Sequence, residues 1–150
     1  SLVGSEMCIR DSVMDVNLSP IVQSQREMYE EIFSRKNIHC SLEMPDSPVV
    51  VRMNETLATI LVTNLIKNAF MHSPEGGIVT IALDGNGLAV ENSGEAPLDR
   101  ERIFDRFYQG AKKEGSTGLG LALAKTIADK NGMQFSYSFA DGRHRFRINF

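Results

Sequence analysis

Cysteine is scarce in this chain of 150 residues, occurring only as Cys8 and Cys40. The pair has no metal-ligand spacing and is too small for a disulfide framework, so neither a zinc module nor an oxidising compartment is implied. Long apolar runs are missing too, and none approaches the roughly 18–20 residues that span a bilayer. No sign of charge dominates. Sixteen Lys and Arg stand against nineteen Asp and Glu, a net charge of −3. That balance gives no electrostatic reason to expect nucleic acid or an anionic membrane as partner. Residues 1–3 lack the basic start of a secretory signal. A cytoplasmic location is therefore expected. The chain begins at Ser1 rather than an initiator Met, so membrane anchoring of a longer parent stays open.

What is present suits one soluble domain. Hydrophobic residues are 42% and charged residues 23%, and a chain of this length buries roughly two-thirds of its unfolded surface. Residues 1–12 (SLVGSEMCIRDS) show neither helical nor strand periodicity and read as a disordered or non-native leader, similar to translated sequencing adaptor. Residues 20–36 are helical in pattern, with Ser19 as N-cap and Pro20 at the first helical position. Residues 38–44 alternate as a half-buried strand, and residues 49–51 predict a short one. The clearest helix covers residues 54–72, where Leu57, Leu61, Leu65 and Ala69 form one row. Apolar runs at 78–83 and 88–92 flank Asp84-Gly85-Asn86-Gly87, a hairpin signal. A short helix over 100–108, a mobile loop over 109–117, a helix over 119–131 and a closing hairpin follow. This order predicts an α/β protein, a two-layer α/β sandwich whose mixed sheet is covered on one face by helices.

Four segments carry candidate chemistry. Asn64 and Asn68 stack on one helix face. A side-chain carbonyl is a suitable hard ligand for Mg²⁺, which takes further ligands from phosphates, yet the pair alone reads more readily as two solvated polar residues. Gly118-Leu119-Gly120-Leu121, with Thr117 as a plausible N-cap, opens a helix. Glycines there let backbone amides approach an anion, which the helix dipole favours. The segment is neither a Walker loop nor a Rossmann fingerprint. Asn92, at a strand end before Ser93-Gly94, offers one acceptor and two donor hydrogens, enough to read a purine edge. Phe104 and Phe107 suit a hydrophobic anchor for the loop that follows, and Arg106 is placed to reach a phosphate or a surface carboxylate.

In this order the segments resemble the boxes of the ATP-binding catalytic domain of sensor histidine kinases, in the superfamily shared with gyrase, Hsp90 and MutL. NLIKNAFMHS (64–73) is similar to the N box, VENSGEAP (90–97) to the first glycine box, IFDRFYQ (103–109) to the F box and GSTGLGLALAK (115–125) to the second glycine box. The resemblance implies a Bergerat-type ATP-binding fold over residues 37–150, with residues 13–36 as the end of a preceding dimerisation helix or linker. It implies ATP and Mg²⁺ as cofactors. Asn68 would coordinate the metal with help from Asn64, and Asn92 and Gly94 would receive adenine. Gly118 and Gly120, with Thr117, Leu119 and Leu121 around them, would hold the phosphates. Phe104 and Phe107 would anchor the lid. His72, Arg106, Lys112 and Lys113 complete the expected nucleotide-binding set.

The chain departs from the family pattern in places. Asn92 stands where most members have Asp, Ala96 where the box has a second glycine, and Met71 and Gln109 where basic residues are common. Lys112, Lys113 and Arg106 are placed to compensate. Hydrolysing relatives carry a Glu at the position of Asn64, and an amide cannot take a proton from water. The resemblance therefore implies phosphoryl transfer rather than hydrolysis. None of His39, His72 and His144 has the family's acceptor pattern, a His followed by an acidic residue near the start of a long helix. The acceptor histidine would lie outside this chain, on the dimerisation domain of the same parent protein, and a response-regulator receiver domain would take the phosphoryl group. Two other readings stand beside this one: a degenerate nucleotide-binding or protein-interaction module, and a serine kinase acting as an anti-sigma factor.

Overall fold

The computed structural model describes residues 12–32, 34–99, 101–105 and 120–150. Strand β1 (Met14–Asn17) leads directly into helix α1 (Leu18–Ile32), and a 3-10 turn (Ser34–Lys36) precedes β2 (His39–Glu43). Strand β3 (Val50–Met53), helix α2 (Glu55–His72) and the pair β4 (Ile78–Asp84) and β5 (Gly87–Ser93) follow. Helix α3 (Gly120–Lys130) and strands β6 (Gln134–Ala140) and β7 (Arg143–Asn149) end the described chain.

The main sheet has the order β2-β4-β5-β7-β6. Only β2 and β4 run parallel; every other pair is antiparallel. Turn chemistry sets the hairpins. Asp84 Oδ1 accepts the amides of Asn86 at 2.7 Å and Gly87 at 2.9 Å, closing β4 onto β5. Asp141 and Gly142 both have positive φ (55° and 73°), the conformation that two-residue hairpin turns demand. Period-two alternation sends Val79, Ile81, Leu88, Val90, Phe135, Tyr137, Phe146 and Ile148 to one face, where all are buried. Helices α2 and α3 cover that face, α2 over β4 and β5 and α3 over β6. The result is the expected two-layer sandwich.

Helix α2 is the spine. Asn54 caps it by accepting the Leu57 amide at 3.0 Å. Its apolar residues bury against both the sheet and the neighbouring helices, with Ala58, Leu61, Val62, Leu65, Ile66, Ala69 and Phe70 inside. At its far end Lys36 Nζ donates to the carbonyls of Phe70 (3.3 Å) and Met71 (3.4 Å). A cation there complements the negative end of the helix dipole. Helix α3 stops at Gly132, φ 69°, with the Met133 amide returning to Ala128 O at 2.9 Å.

The N-terminal segment differs from expectation. Residues 14–17 form a strand antiparallel to β3, too short for its alternation to stand out in the sequence. Helix α1 begins at Leu18, and the capping side chain is Asn17, which accepts the Ser19 amide at 3.1 Å, rather than Ser19 itself. Leu18 and Val22 join the same core as α2 and the sheet. The short helix expected over 100–108 is, in its described part, a pair of turns, with the Arg102 amide on Asp99 O and the Asp105 amide on Arg102 O. Apolar anchoring explains their position: Ile103 is buried and the Phe104 ring packs on Phe135 with centroids 4.6 Å apart.

Candidate functional site

Asn64 and Asn68 lie half-buried on α2, one turn apart, beside the buried Leu65 and Ala69. The start of α3 meets the first of them. A Cβ built on Gly120 would stand 3.2 Å from Asn64 Oδ1 and 3.7 Å from Asn64 Cγ. Asn64 therefore presents its side-chain carbonyl oxygen to the glycine that opens α3. The two helices pack along each other, so this closeness follows from their mutual burial. Leu121, next on α3, packs against the core.

Asn92 sits near the end of β5 and is 1% exposed. Its register partners are Val79 on β4 and His144 on β7. Its Nδ2 donates to Ser93 O at 3.1 Å, which leaves Oδ1 as the acceptor end of the amide. Gly94 follows, its amide on Gly142 O at 2.9 Å, with the His144 imidazole occupying the space a side chain there would need. Helix α2 contacts both β5 and α3. The Asn64–Gly120 contact and the strand bearing Asn92 thus share one supporting helix.

Phe104 packs on two elements. Besides Phe135, its ring has Lys125 Nζ at 5.9 Å from its centroid, so the turn at 101–105 is tied to α3 and β6 together. His72 is the last residue of α2. Arg106, Phe107, Lys112, Lys113, Thr117, Gly118 and Leu119 lie outside the described residues.

Among the described residues no group of three or more His, Cys, Asp or Glu is placed to hold a metal. Any ion would rest on amide oxygens and on its ligand's own oxygens. Asn64 and Asn68 supply such oxygens, and Gly120 stands beside Asn64 where a side chain would crowd it. The donor set therefore fits a magnesium–phosphate ligand, since Mg²⁺ takes few protein ligands and favours phosphate oxygens. Burial pushes the Cys40 thiol up, with Arg26 only partly opposing, so Cys40 is held as a thiol and not as a nucleophile. A cavity of about 450 Å³ lined by Glu91, Ser138, Ala140, Asp141, Arg143 and Arg145 is formed by residues that alternate with the buried ones. It lies on the outer face of the sheet, away from α2.

Sequence reasoning missed Lys36, Tyr137, His144 and Leu98. Alternation alone puts Tyr137 and His144 on the inner face, but only the β5–β7 register brings His144 opposite Asn92.

Residues 53–150 match the family model described as histidine kinase-, DNA gyrase B-, and HSP90-like ATPase. The chain is 32% identical over 135 residues to the sensor histidine kinase WalK of Bacillus subtilis, covering 82% of this chain and 21% of that protein. It is 32% identical over 127 residues to the sensor-like histidine kinase SenX3 of Mycobacterium tuberculosis, covering 78% and 31%. It thus spans less than a third of the length of these curated relatives. Among solved structures, the nucleotide-free catalytic domain of histidine kinase ThkA superposes with a TM-score of 0.81 at 21% identity, covering 93% of this chain and 95% of that one. The mycobacterial sensor histidine kinase MprB superposes at 0.77 and 23% identity, covering 91% and 97%.

Proposed function

The chain belongs to the family of histidine kinase-, DNA gyrase B- and HSP90-like ATPases, and from that membership we propose that it is the ATP-binding catalytic domain of a sensor histidine kinase, holding Mg²⁺-ATP for transfer to a histidine on another domain. The observation that carries the proposal is the approach of Asn64 Oδ1 to the glycine entrance of α3. An amide pair on one helix and a helix N-terminus on another are complementary to a magnesium-chelated triphosphate.

Asn68, with Asn64, holds the metal through amide oxygens. Bound Mg²⁺ neutralises phosphate charge, which is much of what phosphoryl transfer asks of a protein. Gly120, at the start of α3, offers its amide to the phosphates. Asn92 Oδ1 accepts from the adenine amino group, its Nδ2 being held by Ser93 O. Asn64 is neutral and cannot deprotonate a water, so these residues position and shield but do not activate water. That division favours transfer over hydrolysis. The acceptor is a histidine on a dimerisation domain of the parent protein, and a response-regulator receiver domain is the onward partner.

Calorimetric titration of the chain with Mg²⁺ and a non-hydrolysable ATP analogue tests the proposal. Saturable binding that weakens when Mg²⁺ is chelated is expected. No heat at millimolar nucleotide overturns it in favour of a degenerate interaction module. Incubation with labelled ATP should leave no phosphohistidine on the chain itself.

A further inference from the structure

The segment between Gly94 and Leu98 is exposed in its middle, at Glu95, Ala96 and Pro97, yet both ends are fixed to the β6–β7 hairpin. At one end the Gly94 amide donates to Gly142 O at 2.9 Å, and Gly94 abuts Nε2 and Cδ2 of His144. At the other the Leu98 amide donates to the Tyr137 hydroxyl at 2.9 Å. The two ends are joined through one contact: the Tyr137 hydroxyl lies 2.7 Å from His144 Nδ1.

The Tyr137 oxygen accepts the Leu98 amide. Burial favours the neutral His144 ring, and in the tautomer with Nδ1 unprotonated the Tyr137 hydroxyl donates to Nδ1 while Nε2, on the Gly94 side, carries the ring proton. Packing holds the ring in this pose, with the Tyr137 ring stacked at 5.8 Å and the Phe139 ring tilted at 5.0 Å. Tyr137 itself is buried and tilted against Phe146 at 5.0 Å.

We infer that His144 is a positioning residue for the nucleobase: with Tyr137 it sets where the backbone from Gly94 to Leu98 lies beside Asn92. This rests on the proposed role of Asn92 and Gly94 as the base-receiving pair. The imidazole packs against Gly94. Its size determines how far the turn stands from the sheet, and its Nδ1 determines the orientation of the hydroxyl that holds Leu98.

The test uses the 150-residue chain and three substitutions, Tyr137→Phe, His144→Ala and His144→Asn, the last because an asparagine Oδ1 can stand in for Nδ1 as acceptor. Hydrogen exchange at the Leu98 amide is measured without nucleotide, and affinity for the Mg²⁺-loaded ATP analogue is measured by titration. Tyr137→Phe and His144→Ala should each speed Leu98 exchange and weaken analogue binding by roughly tenfold, the worth of one hydrogen bond. His144→Asn should recover most of both losses, which mere loss of packing would not allow. Tyr137→Phe keeps the aromatic ring, so it reports even if His144→Ala fails to fold. Unchanged analogue affinity in Tyr137→Phe overturns the inference. So does an unchanged Leu98 exchange rate. If the unsubstituted chain binds no analogue, the function reading fails first and takes this inference with it. If it binds and the variants bind equally well, only the inference fails.

Discussion

Asn64 and Gly120 meet where helix α2 passes the start of helix α3, so closely that a methyl group there would make Asn64 give way. The amide oxygen lies 3.2 Å from where a Cβ on Gly120 would stand, closer than ordinary van der Waals contact. The glycine is not needed for backbone conformation, since Gly120 is not among the positive-φ glycines. It is needed for closeness. That distinction separates stability from binding at this position.

Gly120→Ala should therefore weaken nucleotide binding without destabilising the fold. Alanine is the better helix former by up to about 1 kcal/mol, less at a helix's first residue. The cost is a shift of a few tenths of an ångström in the Asn64 side chain. The expected result is an unfolding midpoint at or above that of the parent chain, with affinity for the Mg²⁺-loaded analogue reduced roughly tenfold, about 1.4 kcal/mol. A lowered midpoint with unchanged affinity would show that the contact serves packing alone.

Asn68→Ala tests the metal-holding role. The residue is half-buried on a helix, and replacing Asn by Ala there costs nothing in helix propensity and gains up to about 0.7 kcal/mol. The parent chain should bind the analogue more tightly with Mg²⁺ than with a chelator present. The variant should bind with nearly the same weak affinity under both conditions, read by paired titrations.

The fold was largely legible because its signals are local. Leu61, Leu65 and Ala69 sit in one row and Asp84 closes a tight turn, so α2 and the β4–β5 hairpin follow from short stretches of chain. The strand at 14–17 was not legible. Four residues give two alternations at most, and what makes Val16 a core residue is its pairing with Val51 on a strand distant in sequence. The burial of Leu18 and Val22 was hidden for the same reason, since it depends on α2 and the sheet. Asn64, Asn92 and Gly120 could be singled out by residue type and spacing. The contact of Gly94 with His144 could not, because register, not sequence distance, sets one against the other.

Gly94→Ala should be strongly destabilising, and the cause can be isolated. The new Cβ collides with the His144 imidazole, an overpacking that typically costs about 1–3 kcal/mol. Removing the imidazole removes the obstacle. In urea unfolding, Gly94→Ala combined with His144→Ala should be less destabilised than the sum of the two single variants, by about 1 kcal/mol or more. Strict additivity would place the cost elsewhere, in backbone strain or in the turn itself.

The state of His144 gives the chain a pH dependence that can be assigned to one side chain. Burial lowers its pKa below the ordinary value of 6.5, and the Tyr137 hydroxyl proton directed at Nδ1 is compatible only with the neutral ring. In the unfolded chain the imidazole titrates at its ordinary value, so between that value and the lower folded one the unfolded state binds more protons. Stability must then rise with pH across that window. It is at its full value above about pH 6.5 and declines as pH falls through the folded pKa. His144→Asn removes the titration and keeps an acceptor for Tyr137. Subtracting its unfolding free energy from that of the parent chain at each pH cancels every other titrating group the two proteins share. The difference should be flat above pH 7 and should turn against the parent as pH falls below about 6.5. A flat difference would mean that folding leaves the proton affinity of the imidazole unchanged, and one that turns in the parent's favour on acidification would mean that the folded imidazole is charged in that window. The hydrogen-bond chain from Leu98 through Tyr137 to Nδ1 would then have the opposite polarity.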